Sequence, residues 1–400
     1  MKRRLLFIFL MVSLSLVSGC WSRRELTDLA IVLGVGIDKA KDQYLISTQI
    51  VNVGAAAEKT TGRADVAPVT TFSIKAHTIL EGIRSLTTVT PRRLYPAHMR
   101  VLVIGEAVAR EGIRNVLDQF LRENEIRPDF YVIVAKDTTA QNIMSIFTAL
   151  EKIPSNKLFK SLELSERAWA PTVGVLLDEF ITALVSDERE PVLTGLEIAG
   201  DVQTGSTESN VSTIKPPTLL RYSSIGVFKE DKLIGWLNQM ESQGYNYIVD
   251  NVTGTSSEVN CENGGKLNIE IIRSKTRVKG NVLRGKPEIY ISINAEGNIG
   301  EVACKIDLSK TKSIYELESK IEQRIKTLVE MAVHKAQKQY KSDVFGFGEA
   351  IHRGAPQAWK TLKKNWEKEF PNVQVHVMAD VKIRRTGKVG NSFLHKLKER

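Results

Sequence analysis

Hydrophobic and polar positions divide this chain into segments of clearly different kinds. An unbroken apolar and small-residue run covers residues 5–17. A second run, residues 29–38, is continuous rather than alternating, as in a strand buried on both faces. Residues 39–43 are polar and lead into the apolar stretch 44–51, which predicts a hairpin. Beyond a loop rich in Ala, Gly and Thr (residues 52–68), a strand is expected near 71–75. Ile79, Leu80, Ile83 and Leu86 then mark a helix. Residues 99–104 and 130–135 read as buried strands. Between them, 106–122 reads as one amphipathic helix with Val108, Ile113, Val116, Leu117 and Phe120 on its stripe. Strand, helix, strand at this spacing predicts a crossover unit with helices covering a mixed sheet.

Residues 138–184 have helical periodicity broken at Pro154 and Pro171. A strand is expected at 191–198 and a polar loop at 203–210. Residues 224–229 and 232–237 form the clearest hairpin, turning at Glu230 and Asp231. The last third opens with strands expected at 267–278, 288–294 and 300–307. Ile314, Leu317, Ile321, Ile325, Leu328, Ala332 and Ala336 then recur every three or four positions, so one face of a long helix is core. Ser313 and Glu316 have capping-box spacing at its start, and Lys335, Lys338 and Lys341 suit the dipole at its end. Gly346 and Gly348 predict a left-handed cap there, with Phe345 and Phe347 docking on the core. Another helix is expected from Pro356 to Pro371 with Trp359, Leu362 and Trp366 on one face. A half-exposed strand at 373–377 continues to 381–383.

The first apolar run follows Lys2, Arg3 and Arg4 and ends in Ser18, Gly19 and Cys20, the parts of a secretory signal. It is short of the ~20 residues of a spanning helix. Val17-Ser18-Gly19-Cys20 resembles a lipobox, with cleavage between Gly19 and Cys20 and a diacylglyceryl group on the cysteine sulfur. Two acyl chains anchor a protein stably, at ~0.8 kcal/mol per buried methylene. The plainer alternative is an ordinary signal peptide with an incidental cysteine.

Apolar content of 42% and charged content of 26% are those of a globular chain, and 400 residues predict two or three domains. The formal charge is +10. Arg384, Arg385, Lys388, Lys396, Lys398 and Arg400 concentrate basicity in a tail that suits an anionic membrane, though a solvated end is the plainer reading. No basic patch with interleaved aromatics points to nucleic acid. Cys304 is in phase with Val302, Ile306 and Leu308, which favours a free thiol packed as a small hydrophobe. A disulfide to Cys261 stays open, because spacing alone does not fix the distance between α-carbons.

Little in the chain suggests catalysis. Gly34 and Gly36 lack the third glycine and following helix of a nucleotide loop, so they are expected to allow close packing. His98 has no obvious catalytic partners. There is no Gly-x-Ser-x-Gly elbow, His-Glu-x-x-His helix or zinc-type cluster. The expectation is a non-enzymatic protein without metal or cofactor. Lipid-anchored solute capture is the alternative class.

Several stretches together resemble the Ger(x)C family, the lipoprotein C components of nutrient germinant receptors. They are Gly19-Cys20-Trp21, Arg24-Glu25-Leu26, Val35-Gly36-Ile37-Asp38, His98-Met99-Arg100-Val101, Gly226-Val227-Phe228-Lys229 and Gly235-Trp236-Leu237. Asp343-Val344-Phe345-Gly346-Phe347-Gly348, Trp366 and Ile383-Arg384-Arg385-Thr386-Gly387 complete the set. The stretch Glu123-Asn124-Glu125 departs from the arginine–aspartate pair expected there. The resemblance implies a three-domain α+β protein with mixed and antiparallel sheets flanked by helices. Its parts would be a signal peptide (1–19), an N-terminal α+β domain (20–136), a middle helical domain with a β-hairpin (137–250) and a C-terminal α+β domain with a long helix (251–395). It further implies a lipid on Cys20 at the outer face of the spore inner membrane, beside integral-membrane A and B components. The Phe345/Phe347 turn and the Trp236 hairpin are candidate docking surfaces, with core packing the plainer reading of both.

Overall fold

Strands β1 (Leu29–Ala40), β2 (Gln43–Val51) and β3 (Val69–Ala76) form an antiparallel meander at one edge of a large mixed sheet. This computed structural model describes residues 28–52, 67–261 and 264–387, with Arg3 and Arg4. Cys20, most of the expected leader, residues 53–66 and the basic positions from Lys388 onward lie outside the described residues.

Helix α1 (Ile79–Ser85) follows the meander, and β4 (Arg93–Tyr95) pairs with the start of β1. The expected crossover is present. Strand β5 (Val101–Gly105) lies parallel to β1, and β6 (Tyr131–Ala135) lies parallel to β5. The connection between β5 and β6 is two helices rather than the expected one, α2 (Glu106–Glu111) and α3 (Arg114–Arg122). They break at Gly112, whose φ of 133° is open to glycine alone.

Helices α4 (Ala140–Ser145), α5 (Pro154–Ala168) and α6 (Leu177–Leu184) come next; Pro154 starts α5 at the tolerated first position instead of breaking a helix. Strand β7 (Val192–Ala199) is parallel to β6. The expected loop at 203–210 contains a short helix α7 (Val202–Gly205) capped by Asp201. Strands β8 (Leu219–Lys229) and β9 (Lys232–Leu237) form the expected hairpin at the far edge, turning at Glu230 and Asp231. The order is β3-β2-β1-β5-β6-β7-β8-β9, with β4 paired to β1. Central strands bury both faces. Leu102, Ile104, Val132 and Val134 face one apolar layer; Val101, Val103, Ile133 and Ala135 face the other, under α4 and α5.

Helix α8 (Gln239–Ile248) opens with a capping box of Asn238 and Glu241 and is buried along most of its length. Asn246 satisfies its amide by donating to the carbonyls of Ala170 and Thr172, both at 2.9 Å. A second, four-stranded sheet follows in the order β10 (Thr255–Asn260), β11 (Lys266–Leu283), β12 (Lys286–Val302), β13 (Gln374–Arg385). The first three are antiparallel and β13 joins parallel to β12. Of the third expected strand (300–307), only 300–302 form, as the end of β12, and 303–307 are not strand. Ile289, Ile291, Ile293 and Ala295 of β12 alternate toward the core, the signature of a sheet solvated on its other face.

Helix α9 (Thr311–His334) lies along β13 and α8. Its N-cap is Lys310, so Ser313 sits inside the first turn and the expected capping box does not form. Gly244 of α8 has no room for a side chain, because a Cβ there would lie 2.0 Å from the carbonyl oxygen of Leu328. Helix α9 continues as a π-turn through residues 335–340 and ends at Lys341, in the left-handed conformation assigned above to a glycine. Gly346 instead precedes a helix that periodicity did not reveal, α10 (Phe347–Gly354). The expected helix from Pro356 is divided into α11 (Pro356–Leu362) and α12 (Trp366–Glu369).

One cysteine expectation is overturned. Cys261 and Cys304 form a disulfide, S–S 2.05 Å, linking the segments that leave β10 and β12. Cys304 is nevertheless buried, as its apolar phase implied. Its partner arrives because β11 sets the ends of β10 and β12 side by side, Val259 and Val302 both pairing with Leu267.

Candidate functional site

The stretches singled out by resemblance lie far apart in sequence, and four of them converge where the two sheets meet. Their centre is Asp343, only 5% exposed. Its carboxylate accepts from the backbone N–H of Phe347 (3.0 Å) and Gly348 (2.8 Å) and from the indole Nε1–H of Trp366 (2.9 Å). Three donors on one buried carboxylate explain the local sequence. Asp343 caps α10, and Trp366 reaches it from α12. Burial pushes the carboxyl up to about 6, against the pull of those hydrogen bonds toward the ionised form.

The same segment is fastened to the first sheet. The carbonyl of Asp343 accepts from Glu190 N at 2.8 Å, and Ser342 Oγ donates to Phe228 O at 2.7 Å. Tyr340, at the end of the π-turn, meets β9 with its hydroxyl, which accepts from Trp236 N (3.0 Å) and donates to Trp236 O (2.9 Å). Lys229 pairs with Glu367, and Lys363 pairs with Asp187 at 2.6 Å. The β8–β9 hairpin and the segment from Tyr340 to Phe370 are therefore one bonded unit.

Phe345 and Phe347 are buried here, their rings tilted against each other with centroids 5.0 Å apart, and Phe347 lies beside Phe370 at 6.1 Å. Trp236 is half-buried, its indole donating to Glu106 Oε1 at 3.3 Å, with Lys136 over its ring. Both candidate docking surfaces are thus packing elements.

Asp38 serves a similar role within the first sheet. It accepts from Ala140 N and Gln141 N, both at 2.8 Å, and fixes the start of α4 at the end of β1. Burial raises its pKa and the two backbone donors oppose that rise. Gly34 and Gly36 lie against Met144, Ala140 and Ser155, the close packing expected of them. His98 is exposed, edge-on to Tyr95 at 6.0 Å. Cys20 and Gly19 lie outside the described residues. Among the described residues, no three His, Cys, Asp or Glu side chains converge as a metal site requires.

The Asp343 joint fastens α10 and α12 to the segment that precedes β7. Its carboxylate takes three donors, two backbone amides and an indole. Resemblance pointed to its members, but their convergence has no local signal, since Phe228 and Ser342 are 114 positions apart.

Comparison with known proteins agrees with this architecture. Residues 22–198 match the family described as "Spore germination protein N-terminal domain", and residues 223–387 match "Spore germination B3/ GerAC like, C-terminal". The chain is 32% identical over 407 residues to Spore germination protein KC of Bacillus subtilis (strain 168), an alignment covering 100% of this chain and 99% of that one. It is 24% identical to Spore germination protein B3 of the same organism, covering 98% and 100%. A solved structure, that of the GerBC protein, superposes with a TM-score of 0.57 over 88% of this chain and 96% of the other, at 20% identity, and so shares the α+β fold with two mixed sheets. The chain belongs to the Ger(x)C family of spore germination proteins.

Proposed function

We propose that the protein is the lipid-anchored, non-enzymatic C subunit of a nutrient germinant receptor that triggers spore germination. On this reading the chain is cut between Gly19 and Cys20, and Cys20 carries a diacylglyceryl group at the outer face of the spore inner membrane. Its partners are two integral-membrane components, and it needs no cofactor. The units 20–136, 137–250 and 251–395 are its working parts, the first two contributing to a single sheet.

The observation that carries the reading is the end-to-end match to Spore germination protein KC. Two further observations support it. The sequence Val17-Ser18-Gly19-Cys20 follows a charged and apolar leader. No helix among the described residues is long and apolar enough to cross a membrane. A tether raises the local concentration of the folded units against membrane partners without any new contact.

Cys20→Ala tests this directly. The variant is expected to fold, to move from the membrane to the soluble fraction, and to impair germination through its own receptor. A variant that stays firmly in membranes, or spores that germinate at the parental rate, would count against the anchor.

A further inference from the structure

On the face of the first sheet opposite α4 and α5, β1 is bulged. Val32 pairs with Ile50 and Gly34 with Gln49, so Leu33 is an extra residue. In an unbroken strand Val32 and Val35 would point to opposite faces, and the bulge brings them to the same one. With Thr48, the partner of Val35, they floor a cavity of about 370 Å³ between β1, β2, β4, α1 and α3. That is the size of a small-molecule site. Ile83, Leu94 and Phe120 make the walls apolar.

The polar groups of this cavity are incompletely matched. Thr48 is 1% exposed, and its hydroxyl has no hydrogen-bond partner among the described residues. Buried hydroxyls are ordinarily satisfied. At the rim, Arg93 and Glu125 form an ion pair at 2.9 Å. Arg84 and Glu123 line the same cavity and have no such partner among the described residues. The cavity thus offers an apolar middle, an unmet hydroxyl at its floor and, beside the Arg93–Glu125 pair, a further cation and anion in Arg84 and Glu123.

We propose that this cavity binds a free amino acid with an apolar body and a hydrogen-bonding tip, a tyrosine-like ligand. The α-carboxylate faces Arg84, the α-ammonium faces Glu123, the ring lies among Val32, Val35 and Phe120, and the phenol meets Thr48. This assignment rests on the cavity alone and is independent of the germination role.

The test is calorimetric titration of the full chain in lipid nanodiscs with L-tyrosine and L-phenylalanine. Saturable tyrosine binding is expected, with phenylalanine at least about tenfold weaker, because a site that satisfies a hydroxyl discriminates against its absence. Thr48→Val is expected to abolish that preference while leaving the thermal midpoint unchanged or higher, since it removes an unpaired buried hydroxyl. Arg84→Gln should weaken both ligands about equally, through loss of the charge-assisted carboxylate contact. No saturable tyrosine binding by the unaltered chain up to about 2 mM would overturn the proposal. So would an undiminished tyrosine preference in Thr48→Val, or capture of a long-chain fatty acid with no response to tyrosine.

Discussion

Asp343 shows how one side chain can be both a fastener and a liability. Its carboxyl, pushed up to about 6 from 3.8 by burial, holds its proton more tightly in the folded chain than in the unfolded one. Below pH 3.8 both states are protonated and the group's contribution is fully present. Between 3.8 and about 6 only the folded state keeps the proton, so stability falls as pH rises. Above about 6 it is lower by about 3 kcal/mol, from the ~2-unit difference. Urea unfolding between pH 4 and pH 7.5 should show this decline, and Asp343→Asn should flatten it. Part of the slope will remain, because burial also raises Asp38 and Glu190. An equal slope in the variant would place its source elsewhere. The sequence marked Asp343 only as the first residue of a resemblance stretch, with no role attached to its carboxyl. Cys304 was read by its apolar phase, which correctly gave its burial but said nothing of Cys261 beside it.

Among the elements, those with strong periodicity were legible and those set by capping were not. The runs that became β1, β5 and β6 are continuous because they are covered on both faces, and α9 carries its stripe at helical spacing. Gly112 divides α2 from α3 although the apolar stripe runs past it, since a stripe records burial and not backbone conformation. Helix α10 escaped because its start depends on Asp343, a group outside the helix. The disulfide acts at this scale. It closes a loop of 43 residues that holds β11 and β12, which by loop entropy is worth about 4 kcal/mol. Cys261→Ser with Cys304→Ser should lower the unfolding free energy by about 2–4 kcal/mol. Equal denaturation midpoints for the oxidised chain and the double variant would show that the bridge adds nothing.

For the molecule as a whole, the principal apolar cluster extends from Ala30 to Val381 and takes in residues of both sheets. Continuous packing predicts one cooperative transition, with circular dichroism and tryptophan fluorescence coinciding. Tyr340→Phe removes the two hydrogen bonds to the backbone of Trp236, and should cost about 1–2 kcal/mol and separate the two signals. Coincident, unshifted curves would show that the joint is not held there. Sheet membership was the least legible feature, because pairing of β6 with β7, or β12 with β13, depends on contacts made across many intervening residues.

The late arrival of β13 has its own consequence. Helix α9 precedes in sequence the strand it lies along, with α10, α11 and α12 between them. Folding therefore leaves that flank of α9 bare until residues 374–385 dock, and an uncovered apolar flank favours aggregation. Removing residues 374–385 should strip β12 of its parallel neighbour and α9 of its cover, and size-exclusion chromatography should then find less soluble monomer.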